Sequence, residues 1–135
     1  MTIQTGVVVG GVRVLLQLEG AVVTLVALVL FARTDASGWQ FAALFLVPDL
    51  GVLGYLAGPR VGALTYNTLH TYTLPLALWV LAPAGGHAAA AALIWLAHIG
   101  FDRAVGLGLK YGGSFRVTHL GELGQGVSGA GAGRP

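Results

Sequence analysis

The chain has 135 residues, 56% of them hydrophobic and only 9% charged, with a mean hydropathy of +0.80. Soluble domains carry roughly 25% charged residues, so five acidic and seven basic side chains cannot coat a water-exposed fold of this length. The net charge of +2 forms no basic stripe, which argues against nucleic acid as a partner, and the lack of cysteine excludes disulfides, thiolate metal sites and a cysteine nucleophile.

The composition predicts an all-α protein, an integral membrane four-helix antiparallel bundle with a disordered Gly-rich C-terminal tail. A bilayer crossing takes about 17–25 apolar residues. The first span is expected over residues 14–32, closed by Arg33, Thr34 and Asp35. The second covers 39–56 and stops at Gly58-Pro59-Arg60. The third covers 61–81 and stops at Pro83-Ala84-Gly85-Gly86. The fourth covers 87–109, although Asp102-Arg103 could mark its end. Short connections make sequential helices antiparallel neighbours. The transmembrane domain is thus 1–123, and 124–135 is the tail, too poor in apolar residues to order itself. The first twelve residues hold no Lys or Arg, so no cleavable signal peptide is expected.

Basic residues in short loops mark the cytoplasmic side. Four spans put Arg13, Arg60, Arg103, Lys110, Arg116 and Arg134 on one side and only Arg33 on the other. A multi-pass protein of the bacterial inner membrane is expected, with both termini cytoplasmic. Trp39 and Trp79 then fall at the outer interface, Tyr55 and Tyr111 at the inner one. The expected partner is the lipid bilayer.

Ionisable groups at a span centre cost about 2.5–3.5 kcal/mol each, yet Glu19, Asp49, His70, His98 and Asp102 all fall within or near the spans. At ~1.5 Å per residue, all lie roughly 7–17 Å from the cytoplasmic end. Helices running in opposite directions place them at matching depth, which points to a shared polar centre. His98 and Asp102 are four residues apart, as are Tyr66 and His70, and each pair shares a helix face. Asn67 lies beside them, and Pro48 is placed to kink helix two next to Asp49.

The first reading of this centre is a structural polar core. Asp49, His70, His98 and Asp102 form its middle; Glu19, Arg60, Tyr66, Asn67 and Arg103 support it, with His98 paired to Asp102 and Asp49 to Arg103 or Arg60. A second reading is a metal-dependent membrane hydrolase. Two histidines and two aspartates are N and O donors suited to a divalent, zinc-like ion, with the same four as catalytic and metal-ligand candidates and His119 as a further candidate ligand. A third is passage of a small solute or proton, which four short helices would support only as a homo-oligomer. Gly51, Gly54, Gly100 and Gly106 are expected where helix backbones approach closely.

The segments Pro48-Asp49-Leu50-Gly51-Val52-Leu53-Gly54-Tyr55-Leu56-Ala57-Gly58-Pro59-Arg60, Tyr66-Asn67, His70-Thr71-Tyr72 and Trp95-Leu96-Ala97-His98-Ile99-Gly100-Phe101-Asp102-Arg103 carry a resemblance. With Gly108-Leu109-Lys110-Tyr111 and Thr118-His119-Leu120-Gly121, the chain resembles the domain-of-unknown-function 4260 family of small bacterial membrane proteins over about residues 15–124. Leu107 departs from the family, which has an aromatic there. The resemblance implies a multi-span inner-membrane protein and no particular activity. It places the polar centre and His119 inside the family's motif segments.

Overall fold

The computed structural model describes residues 6–112 and 114–122; the expected tail lies outside them. The fold is mostly helical and made of four helical stretches in chain order. The first is one helix, α1 (Gly10–Phe31). The second is α2 (Gly38–Phe45) continued by a 3-10 helix (Val47–Ala57). The third is a pair, α3 (Pro59–Leu69) and α4 (Thr73–Leu81). The fourth is α5 (His87–Ala104). Two stretches, Gly10–Phe31 and Gly38–Ala57, are long and apolar enough to cross a membrane.

Local chemistry sets each boundary. Ser37 starts α2 with a reciprocal cap: its hydroxyl accepts from the Gln40 amide and Gln40 Oε1 accepts from the Ser37 amide. Pro48 then sits in the first turn of the 3-10 helix, where its missing N–H costs nothing. The expected kink is therefore a change of helix type, which continues for eleven residues and carries Asp49.

The third stretch differs from the single span expected over 61–81. It breaks at His70, Thr71 and Tyr72. Pro75 explains the break: inside one continuous helix its ring would clash with the carbonyl four residues back, at Thr71. As the third residue of α4 it is tolerated. Two side chains of α5 satisfy the carbonyls freed at the break. Trp95 Nε1 donates to Leu69 O at 2.6 Å, and Arg103 Nη2 donates to His70 O at 2.9 Å.

Helix α5 is the centre of the fold. Its buried residues run from Ala89 to Asp102 and are mostly small or aliphatic. The alanines that weaken its hydropathy let neighbouring helices come close. Its tightest crossing is with α1, where Gly20 faces Gly100. A Cβ on Gly100 would stand 2.7 Å from Thr24 Oγ1 and 2.8 Å from Gly20 O. Gly51 and Gly54 likewise pack against α3 at Thr65. Gly106 plays another part: with φ of 89° it ends α5, and its neighbours are the side chains of Gln17 and Arg13. Helix α5 therefore stops at Ala104, short of residue 109.

The all-α expectation also missed a small antiparallel sheet, β1 (Lys110–Tyr111), β2 (Ser114–Thr118) and β3 (Gly121–Glu122), in the order β1-β2-β3. Gly112 stands in the first turn, and Gly121, with φ of 123°, opens β3 just after the second. The Val8 amide donates to His119 O at 2.8 Å, which ties the entry to α1 to this sheet.

Candidate metal centre

Three elements carry four convergent ligand atoms. The 3-10 helix brings Asp49, the break after α3 brings His70, and α5 brings His98 and Asp102 from one face. The four atoms all lie within 4.8 Å of one another. His70 Nε2 stands 3.1 Å from His98 Nε2 and 3.4 Å from Asp49 Oδ1. It is 3.5 Å from Asp102 Oδ2. His98 Nε2 is 3.5 Å from Asp49 Oδ1 and 3.6 Å from Asp102 Oδ2.

Two length scales decide what these separations mean. An N–H···O hydrogen bond spans about 2.7–3.2 Å, so the histidine–aspartate separations are long for direct bonds, whereas His70 Nε2 and His98 Nε2 stand at hydrogen-bond distance. Four N and O ligands at about 2.0–2.2 Å around one tetrahedral ion stand about 3.3–3.6 Å apart. The four histidine–aspartate separations fall in that range, and the His70–His98 separation lies below it.

The surroundings hold the donors in place. His70 Nδ1 lies 2.9 Å from Tyr66 O, a carbonyl that can only accept. Nδ1 therefore carries the proton, and in the neutral ring Nε2 presents its lone pair to the cluster, as metal-bound histidines do. The Tyr66 ring stacks on His70 at 3.8 Å and 9°, and Phe45 meets the His98 ring edge-on at 5.2 Å. His98 Nδ1 is buried with no hydrogen-bond partner among the described residues. Such a nitrogen is costly in either tautomer, so the Nε2 side and the packing position this ring. Burial is uneven: His70, His98 and Asp102 are buried, whereas the Asp49 side chain is 47% exposed at the rim.

The remaining candidates stand around this centre. Tyr66 adjoins it as expected. Asn67 faces the sheet, accepting from the Lys110 amide at 2.7 Å and donating to the Lys110 carbonyl at 2.8 Å. Arg103 donates to the carbonyls of His70 and Leu107, so the expected Arg103–Asp49 pair is replaced by support of the broken backbone. Arg60 is exposed in the first turn of α3, about 15 Å along the helix from His70, and does not reach Asp49. Glu19 is exposed on α1 and lines a cavity with Tyr72, Arg103 and His119.

His119 lies outside the ligand set. Its Nδ1 accepts from the Leu109 amide at 2.9 Å, closing the hairpin. Burial, then the charge of Arg103, hold it below the ordinary histidine value. Sequence reasoning missed Trp95 and Lys110. Lys110 is a buried cation whose Nζ sits 4.2 Å from the Phe115 ring centre and 5.1 Å from that of Tyr66. Burial lowers its pKa, opposed by the negative charge of Asp102.

The family model described as domain of unknown function (DUF4260) matches residues 13–123. The chain belongs to the DUF4260 family. No curated protein and no solved structure matches it. All four convergent residues of this DUF4260 protein lie inside the matched region. Their chemistry is hard and borderline: two imidazoles and two carboxylates suit a zinc-like ion. Two carboxylates would also neutralise its double charge.

Proposed function

We propose that this DUF4260 protein is a multi-pass protein of the bacterial inner membrane with both termini cytoplasmic, and that its polar centre binds one divalent, zinc-like ion. The proposed membrane domain covers residues 1–123. The observation that carries the metal reading is the set of histidine–aspartate separations, 3.4 to 3.6 Å, long for hydrogen bonds and in the range of ligands sharing an ion.

The uneven burial favours hydrolysis over a purely structural ion. Catalytic zinc sites use three protein ligands and leave one position for water. Here His70, His98 and Asp102 are the three buried donors. Asp49, half-exposed, would be the ligand to leave a position open and to take a proton from the water there. A divalent ion held there would supply a water of pKa lowered to about 7 as the nucleophile for an ester or amide presented at the membrane surface.

The test is turnover by zinc-loaded protein in proteoliposomes against a panel of lipid-like esters and amides. Hydrolysis should occur, Asp49→Asn should abolish it while zinc stays bound, and His98→Ala should lose both. Zinc-loaded protein inert across the panel would refute the hydrolase reading and leave the metal site standing.

A further inference from the structure

A second feature lies on the other side of Arg103, between α1, α4 and α5. A cavity of about 550 Å³ has Glu19, Tyr72, Arg103 and His119 among its lining. Its outer wall is the aliphatic face of α1; Leu15, Leu18 and Val22 are each more than half exposed. A second cavity of about 320 Å³ shares Val22, Val23 and Tyr72 with the first and runs on to Leu30, Leu76 and Trp79. Together they make one groove, polar at one end and apolar along the rest.

The geometry points to a bound membrane phospholipid with an ammonium headgroup: its phosphate on Arg103, its ammonium on Glu19 and one acyl chain along α1 towards Trp79. Both charges that such a zwitterion needs are present at the polar end. Among the described residues Arg103 donates two hydrogen bonds, both to backbone carbonyls, and a guanidinium carries five N–H groups in a fork suited to phosphate. The length fits as well. From Glu19, at the polar end, to Leu30 α1 rises about 17 Å, close to one leaflet's hydrocarbon depth of about 15 Å, half of the ~30 Å core. The direction fits the proposed topology: Arg103 lies in the last turn of α5, towards the cytoplasmic face, so the lipid would be oriented as in the inner leaflet. This inference rests on the membrane setting but not on the metal.

Native mass spectrometry tests it, using full-length protein extracted from vesicles of equal phosphatidylethanolamine and phosphatidylglycerol. Wild type should retain one phospholipid per chain, enriched in the ethanolamine form. Glu19→Gln should keep a lipid but lose the headgroup preference. Val23→Trp, filling the shared stretch, should lose the lipid at unchanged helicity. Leu18→Trp at the exposed mouth gives the same reading if Val23→Trp does not fold. Retention in the tryptophan variants equal to wild type, or no headgroup preference in wild type, would overturn the proposal.

Discussion

At the scale of single residues, the centre depends on how each ring is held. The Tyr66 carbonyl and ring fix His70 from two sides, leaving only Nε2 to face the ligand set. His119 is held differently, as a neutral acceptor for the Leu109 amide. Its pKa lies below the ordinary value, about 6.5 in an unfolded chain. As pH falls through that value the unfolded chain gains a proton that the folded chain refuses. The stabilisation is therefore complete above about 6.5 and is lost towards the lower folded value. Amide exchange at Leu109, corrected for intrinsic rate, should quicken as pH falls below about 6.5, while buried amides of α5 stay protected. Equal behaviour at both places would contradict this role. Matching depth along the spans made Asp49, His70, His98 and Asp102 legible in the sequence. Lys110 was not legible: a lysine just beyond a span reads as a topology marker, and only the fold places it over Tyr66 and Phe115.

At the scale of elements, two junctions carry the architecture. Gly20 against Gly100 lets α1 lie directly on α5. Gly100→Ala would push a methyl into Thr24 and should cost about 1–3 kcal/mol, read as an earlier unfolding midpoint in detergent; an unchanged midpoint would remove this crossing from the account. The second junction is the break at His70, where Trp95 caps Leu69 O. Trp95→Phe keeps most of the ring and removes the donor. Leaving that carbonyl unpaired should cost about 1–3 kcal/mol and weaken metal binding, because the ligand His70 is the next residue along; calorimetric zinc titration checks this. The break was written in the sequence by Pro75, but the apolar run on either side masked it, since hydropathy does not register a backbone clash. The sheet escaped notice because β1 and β3 are only two residues long, too short for any alternation to register. The glycines at 51, 54 and 100 were readable as close-packing points, whereas Gly106 needed its positive φ to be seen as a helix stop.

At the scale of the whole molecule, the proposed topology would put six of the seven basic residues, from Arg13 to Arg134, on one side and Arg33 alone on the other. Reporter fusions after Arg33 and after Gly86 should read outside, and a fusion at Gly124 inside; an outside reading at Gly124 would overturn the orientation. The proposed topology matters because it would place the ligand set in the cytoplasmic half of the bilayer, where two charged carboxylates need an opposite charge. A divalent metal ion would supply that charge. The most direct test is therefore metal content by mass spectrometry of protein purified without chelator, alongside His70→Ala, His98→Ala and Asp102→Ala. The account predicts close to one zinc-like ion per chain in the wild type and loss of it in each variant, with the helices still folded. A wild-type protein that is folded, metal-free and unable to take up zinc would contradict it.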